Sequence, residues 1–406
     1  MATDTSSFLI AESQLILDDA RRQKAERIKT VGSPIQLSGK ALAMCVQGSY
    51  VWIAENTAVA RKVDLESGKT LQLYKGHTGP VTTLAFCDKV SGSGDGKILI
   101  TGSWDQTIKV WDTDTKALLS STPNAHADFV KSLLVFPSLN LLVSSGSDKI
   151  VRFWDLSTPE QKQPLRSLGS ISSHTRPVEC LDGKALSPTS AILYTADTMG
   201  VIKSWTLEKE SGPFPRWRGT LQEELSHHRT RINEMIYGNG QLWTASSDET
   251  VQVLRQDSSV TRNIKTPPPI SHPVAVRSIL PLALTEYAEP YLITGAGDML
   301  RVYDVTSPEE PEFVRDVDAH WHDVTAIRLW KRVTLDSEGR TRIEPWIIST
   351  SLDSTIRKWP LSELLTPAPP TQTIPPPVLP LPAAKPTEFQ MTEDEERELA
   401  ELLDSD

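Results

Sequence analysis

Cysteine is scarce in this chain: Cys45, Cys87 and Cys180 are far apart, with no CxxC pair among them. That count excludes a disulfide framework and a cysteine zinc site, and it fits a reducing compartment. No run of about 18 apolar residues exists, so no membrane-spanning helix is expected. The N-terminus, MATDTSSFLIAESQLILDDARRQKAER, lacks the basic start and long apolar stretch of a secretory leader. Positive charge is in deficit, with 42 Lys and Arg against 52 Asp and Glu for a net charge of -10. This balance works against unspecific attraction to nucleic acid or anionic lipid. A soluble protein of the cytoplasm, the nucleus or both is expected, with neither direct nucleic-acid contact nor membrane insertion.

What the sequence does have is repetition. His77, His126, His174, His228, His272 and His320 each stand four residues before an apolar β-branched position, namely Val81, Val130, Val178, Ile232, Val276 and Val324. Six of the eight histidines obey this rule, at separations of 49, 48, 54, 44 and 48 residues. Within one period the chain reads as short β-rich runs split by turn residues, for example VTTLAF, KILITGS, TIKVWD and KALLSS. Four strands per period, at a spacing a little above about 40 to 45 residues, indicate the blades of a propeller.

The unit runs from Gly76-His77 to Trp111-Asp112, and TGSWDQTIKVWD recurs as SSGSDKIVRFWD and STSLDSTIRKWP. In these residues the chain resembles the WD-repeat family, over roughly residues 38 to 363. The resemblance implies an all-β fold, a seven-bladed WD-repeat β-propeller. It also implies that in each blade an aspartate in the turn between the second and third strands accepts from the histidine ring. A Ser or Thr and the indole N–H continue that hydrogen-bond chain. Carried over, the tetrads are His77, Thr101 (or Ser103), Asp105 and Trp111; His126, Ser144, Asp148 and Trp154; and His320, Ser349, Asp353 and Trp359. Four units depart from the pattern. In YTADTMGVIKSW, Met199 occupies the usual acid position, so blade four is expected to lack the full tetrad. Blade five has Leu254 where the Trp is expected, and blade six is one residue shorter between Asp298 and Tyr303. The first unit, VWIAENTAVARKVD, has neither the histidine nor the Trp of the repeat.

A ring must also close. The chain turns proline-rich after Trp359-Pro360, so residues 32 to 38, GSPIQLS, are the expected outer strand of the last blade. The expected organisation is an N-terminal helical extension (1–30), the ring (31–363), a proline-rich linker (364–388) and an acidic amphipathic tail motif (389–406). Residues 11 to 29 read as a mixed-charge helix carrying Leu15, Ile16 and Ala20 that packs on the ring. The segment after the ring is expected to be an extended, disordered stretch ending in a short acidic helix. Its last sixteen residues carry eight acids and one base, with Leu399, Leu402 and Leu403 on one helical face. Sixteen residues with three leucines cannot stand alone, so they are expected to dock in a groove of another protein rather than fold back on the ring.

Ser, His and Asp recur at a repeated spacing, as parts that hold blades together do; a catalytic triad would occur once. SGSGDGK, residues 91 to 97, lacks the Lys-Ser/Thr of a phosphate loop and precedes a strand, so it reads as a plain loop. No enzyme activity, metal or cofactor is expected. In WD-repeat proteins the face formed by the loops after each histidine is where peptides usually bind. Here those loops read TGP, ADF, TRP, RTR, PVA and WHD. Arg176, Arg229 and Arg231 are expected side by side as an anion site for a phospho- or acidic peptide, with Trp104, Phe129 and Trp321 as aromatic anchors. The functional expectation is a monomeric ring serving as a protein–protein scaffold. The alternatives are a substrate-recognition subunit of a ubiquitin ligase, or a subunit of a chromatin or RNA-processing complex.

Overall fold

Strand after strand in this sequence alternates side chains that are buried with side chains that are not, and a sheet with that pattern must find a second sheet to cover it. In the computed structural model, seven four-stranded antiparallel sheets do so by standing next to one another in a ring. The structure describes residues 12–366 except 91, 161, 213–214, 256–266, 308 and 336–338. The blades span residues 41–75, 81–122, 130–171, 178–225, 232–271, 276–318 and 324–360. Six blades are simple meanders in chain order. The seventh takes its outer strand from the other end of the chain: Ile35–Gln36 pairs antiparallel with Thr355–Pro360, Ile35 opposite Ile356. The ring is therefore closed by hydrogen bonds between its two ends.

The innermost strand of every blade carries a bulge at the same place, between its first and third residues, as in Val81/Thr83 and Val324/Ala326. Such a bulge raises local twist, which each blade needs to turn from the ring axis toward the rim. The core lies between blades. Phe153 and Val143 of blade three meet Val178, Leu193 and Trp205 of blade four. At the closing seam Ile35, Leu37, Ile53 and Val63 pack against Trp330, Ile348 and Ile356.

Among the described residues two α-helices flank the ring. α1 (Glu12–Arg27) is fixed by its last turn, where Lys24 reaches Asp298 at 2.6 Å and Asp318 at 2.5 Å. Arg27 also bonds to Asp318, and Ile28 just beyond is buried. Arg357, itself buried, donates to the carbonyls of Ile28 and Val31. Leu15 and Ile16, expected on the packing face, are instead exposed, as is Ala20. The helix is held by charge at one end and not by an apolar stripe. α2 (Leu361–Leu365) continues directly from the last strand, with Leu361 and Leu364 buried against blades six and seven. The chain thus stays on the ring beyond residue 363, because those leucines find an apolar seat. The proline-rich linker from residue 367 and the tail, including Leu399, Leu402 and Leu403, lie outside the described residues.

Candidate functional site

Each histidine is placed by the loop that enters a blade, and each turn acid by the hairpin between the second and third strands. Asp105 accepts from the amide of Thr107 two residues on, at 3.0 Å, and Asp148, Asp248 and Asp353 do the same for Ile150, Thr250 and Thr355. The residue after each of these acids, Gln106, Lys149, Glu249 and Ser354, has positive φ, a strain that the side-chain bond helps to hold. In Asp105 and Asp353 the second carboxylate oxygen meets the histidine, whereas Asp148 uses the same oxygen for the turn amide and for His126.

In blade two His77 Nδ1 is 2.8 Å from Asp105, His77 Nε2 is 2.8 Å from Thr101 Oγ1, and Trp111 Nε1 donates to the same hydroxyl at 2.9 Å. Ser103, the alternative to Thr101, donates to the Gly79 carbonyl instead. His126, Asp148, Ser144 and Trp154 repeat this at 2.9, 2.7 and 2.8 Å. His320, Asp353, Ser349 and Trp359 do so at 2.8, 2.9 and 2.9 Å.

Blade four corrects the reading made from spacing. His174 lies 3.1 Å from Asp197 and 2.7 Å from Thr195, and Trp205 donates to Thr195 at 3.0 Å, so the network is complete. Its acid has moved two residues back, from the turn to the end of the strand, opposite Val178. Residues 195 and 197 share a face of that strand, and the carboxylate still reaches the ring. Blade one uses the same strand-end register for Glu55, opposite Ala41, and pairs it with Arg61 in place of a histidine. Blade five keeps His228, Asp248 and Thr244, with His227 against the ring of His228 at 4.6 Å. In blade six the short hairpin, Ala296 opposite Met299, turns Asp298 away to Lys24. His272 there donates to the Ile270 carbonyl and packs edge-on against Tyr303.

The same seven hairpins and entry loops build one face of the ring. In the six blades with a histidine, the residue after the second strand donates to the carbonyl three residues past it, as in Trp104 to Pro80, Ser147 to Phe129, Thr198 to Pro177 and Ser247 to Arg231. Trp104 and Phe129 come from adjacent blades and stack with centroids 4.7 Å apart and planes 17° from parallel. They remain 41% and 37% exposed, so this is an apolar surface open to solvent. Trp321 is half-buried beside His322. The three arginines do not form one free cluster. Arg231 is tied to Glu179 at 2.8 Å, and Glu179 also faces Lys131 at 3.4 Å. Arg176 and Arg229 are exposed, with no side-chain partner among the described residues.

The family described as WD domain, G-beta repeat matches residues 68–112 and 118–155. A WD repeat-containing protein of Schizosaccharomyces pombe is 30% identical over 377 residues, covering 89% of this chain and 90% of that protein. The chain belongs to the WD-repeat family. Two further relatives match over a smaller share of the chain. Human kinesin-like protein KIF21A is 26% identical over 252 residues, 60% of this chain but 14% of that protein. Nuclear distribution protein PAC1 of Arthroderma otae is 26% identical over 200 residues, 45% of this chain and 41% of that protein.

Within this WD-repeat ring the tetrads are electrostatically set. Burial on its own pushes the Asp105 carboxyl up, and bonds from His77, Thr107 and the Thr78 amide overcome it and hold it well below the usual range. Asp148 is held at about 2 by the same opposition. His272 has no acid beside it, and burial drives it down to about 4. Along the ring axis Lys131, Glu179, Glu234 and Arg328, unremarkable in the sequence, line a cavity of about 560 Å³ together with the predicted Trp104 and Arg231. Glu234 ties three blades together, accepting from Arg328 at 2.8 Å, Ser278 at 2.6 Å and the Ile279 amide at 2.7 Å. An acid near the start of an otherwise largely apolar innermost strand, Glu234 in INEMI and Glu179 in VECLD, was the available signal, but the partners lie in other blades. Among the described residues no three His, Cys, Asp or Glu side chains converge as metal ligands, and no helix is long and apolar enough to cross a membrane.

Proposed function

We propose that this WD-repeat protein is a non-enzymatic scaffold whose histidine-loop face binds one partner protein and whose acidic tail docks in another. The observation that carries the first half is the Trp104–Phe129 stack, two aromatic rings from adjacent blades left open to solvent on a rigid face. Aromatic side chains held in place by packing lose little entropy on binding and anchor protein interfaces. Arg176 and Arg229 add two uncommitted guanidinium groups on the same face, which suits an acidic or phosphorylated segment. Arg231 is held by Glu179 and is not counted with them. Relatives whose names place a similar ring within a kinesin-like protein and a nuclear distribution protein fit a module that is carried into different assemblies.

The second half rests on the sequence of residues 389–406, where Leu399, Leu402 and Leu403 share one face among eight acids. The test is quantitative co-purification of three forms: the full chain, the full chain with Trp104→Ala and Phe129→Ala, and a form ending at residue 388. The aromatic variant should lose one set of partners and the shortened form another. Loss of neither overturns the proposal.

A further inference from the structure

Six of the seven innermost strands are 6 to 10 residues long, whereas Val324–Leu335 of blade seven runs for 12. It starts beside the His320 loop and runs away from the histidine face, so its excess emerges at the opposite end of the ring. There it forms a two-stranded ribbon with Thr341–Ser351, Val333 opposite Ile343 and Leu335 opposite Thr341.

The ribbon is two-faced. Arg332 turns toward blade one, donating to Glu66 at 2.8 and 3.0 Å and lying 5.4 Å over the Trp346 ring. The other face carries Val333, Leu335 and Ile343, which are 56%, 72% and 56% exposed. Three aliphatic side chains in one place expose on the order of 300 Å², within the range of the largest apolar patch on a monomer, which is often a functional one. The cations around it are already neutralised, Lys331 by Glu286 at 2.8 Å and Arg342 by Glu344 at 3.3 Å, so nothing there favours an anionic membrane. Two copies face to face would bury about 600 Å², short of the roughly 1,200 Å² of a stable dimer. Val324–Leu335 is also the terminal strand of its sheet; within the ring Ile327 bonds on that edge to Ser278 and Arg328, but among the described residues no strand pairs with it. Open backbone groups beside alternating apolar side chains suit an added strand better than a helix, which would use the side chains alone.

We infer that this ribbon receives an extended segment of a partner protein, which adds as a third strand along Lys331–Leu335 and covers Val333, Leu335 and Ile343 with apolar side chains at alternate positions. This surface is separate from the Trp104–Phe129 face, and neither proposal depends on the other.

The test is to pan a phage-displayed library of random dodecapeptides on the full chain, with counter-selection on the Val333→Thr, Leu335→Thr, Ile343→Thr variant. Threonine keeps strand propensity, and the melting temperature of the variant checks its fold; Leu335→Thr alone serves if the triple variant does not fold. Peptides held by the histidine face bind the variant equally and are removed. The expected result is a family of peptides with apolar residues at alternate positions. A synthetic representative should bind the intact ribbon at least ten-fold more tightly than the variant, and slow hydrogen exchange at the amides of Lys331–Leu335. The inference is overturned by the absence of discriminating peptides, by a helical spacing among them, or by unchanged exchange. It is equally overturned if the ribbon proves to mediate a dimer in light scattering, or binding to phosphatidylserine vesicles, that the variant abolishes.

Discussion

Asp105→Ala tests how much one tetrad contributes to the ring. The substitution removes the acceptor for His77 Nδ1 at 2.8 Å, for the Thr78 amide at 3.0 Å, and for the Thr107 amide and hydroxyl at 3.0 and 2.7 Å. It leaves the buried imidazole Nδ1 with only the longer contact to the Thr107 hydroxyl at 3.2 Å, and the positive φ of Gln106 without its side-chain brace. With about 1 kcal/mol net for each ordinary bond and more for those to a charged acceptor, the loss is about 3 to 4 kcal/mol. For a ring of this size about 2 °C accompanies each kcal/mol, so the melting temperature should fall by about 6 to 8 °C. Asp105→Asn keeps one carbonyl acceptor and should lose about half as much. Asp114→Ala, which breaks only a half-exposed pair with Lys97, should stay within about 0.5 kcal/mol. The assay is thermal unfolding by differential scanning calorimetry on all three variants. If Asp105→Ala melts with Asp114→Ala, the tetrad does not hold its blade.

Asp197→Ala should cost as much as Asp105→Ala, whereas Met199→Ala should not move the melting curve; equal effects would remove Asp197 from the blade-four network. Burial holds His272 at about 4 in the ring, against about 6.5 in the unfolded chain. The unfolded chain therefore takes up a proton first, and this contribution is fully present above pH 6.5 and lost as pH falls toward 4. Its size is about 3 kcal/mol, so in urea titrations His272→Asn should flatten the decline in stability over that interval, and an unaltered slope would refute the assignment. A chain beginning at residue 39 lacks the strand Ile35–Gln36, buried Ile28 and Leu37, and the carbonyls that receive Arg357. With about 1.5 to 3 kcal/mol for each buried aliphatic side chain, it should melt at least about 10 °C lower or lose its cooperative transition, and an unchanged melt would contradict closure by the N-terminal strand.

The repeat, the blade number and the closing strand were legible in the sequence because their signals are local. A histidine four residues before a β-branched residue, or an acid six before a Trp, can be counted along the chain. What went unread depends on neighbours in space. Counting back from Trp205 placed Met199 where the acid belongs, yet Asp197 reaches His174 from a strand end two residues earlier. Arg231 looked like one of three free arginines because Glu179, its partner, is 52 residues away in another blade. Leu15 and Ile16 suggested an apolar contact for α1, but ion pairs from Lys24 and Arg27 to blade six hold the helix. The ribbon of blade seven is not legible as strand, since WKRVTLDSEGRTRIEP mixes charges with its apolar Val333, Leu335 and Ile343.

The most direct test of the scaffold reading is co-purification of the full chain with and without Trp104→Ala and Phe129→Ala, alongside calorimetry of both. The account predicts a single cooperative transition in both, lower by only a few degrees in the variant for the lost stack, and the loss of a defined set of partners. An unaltered set of partners in a stably folded variant would contradict it.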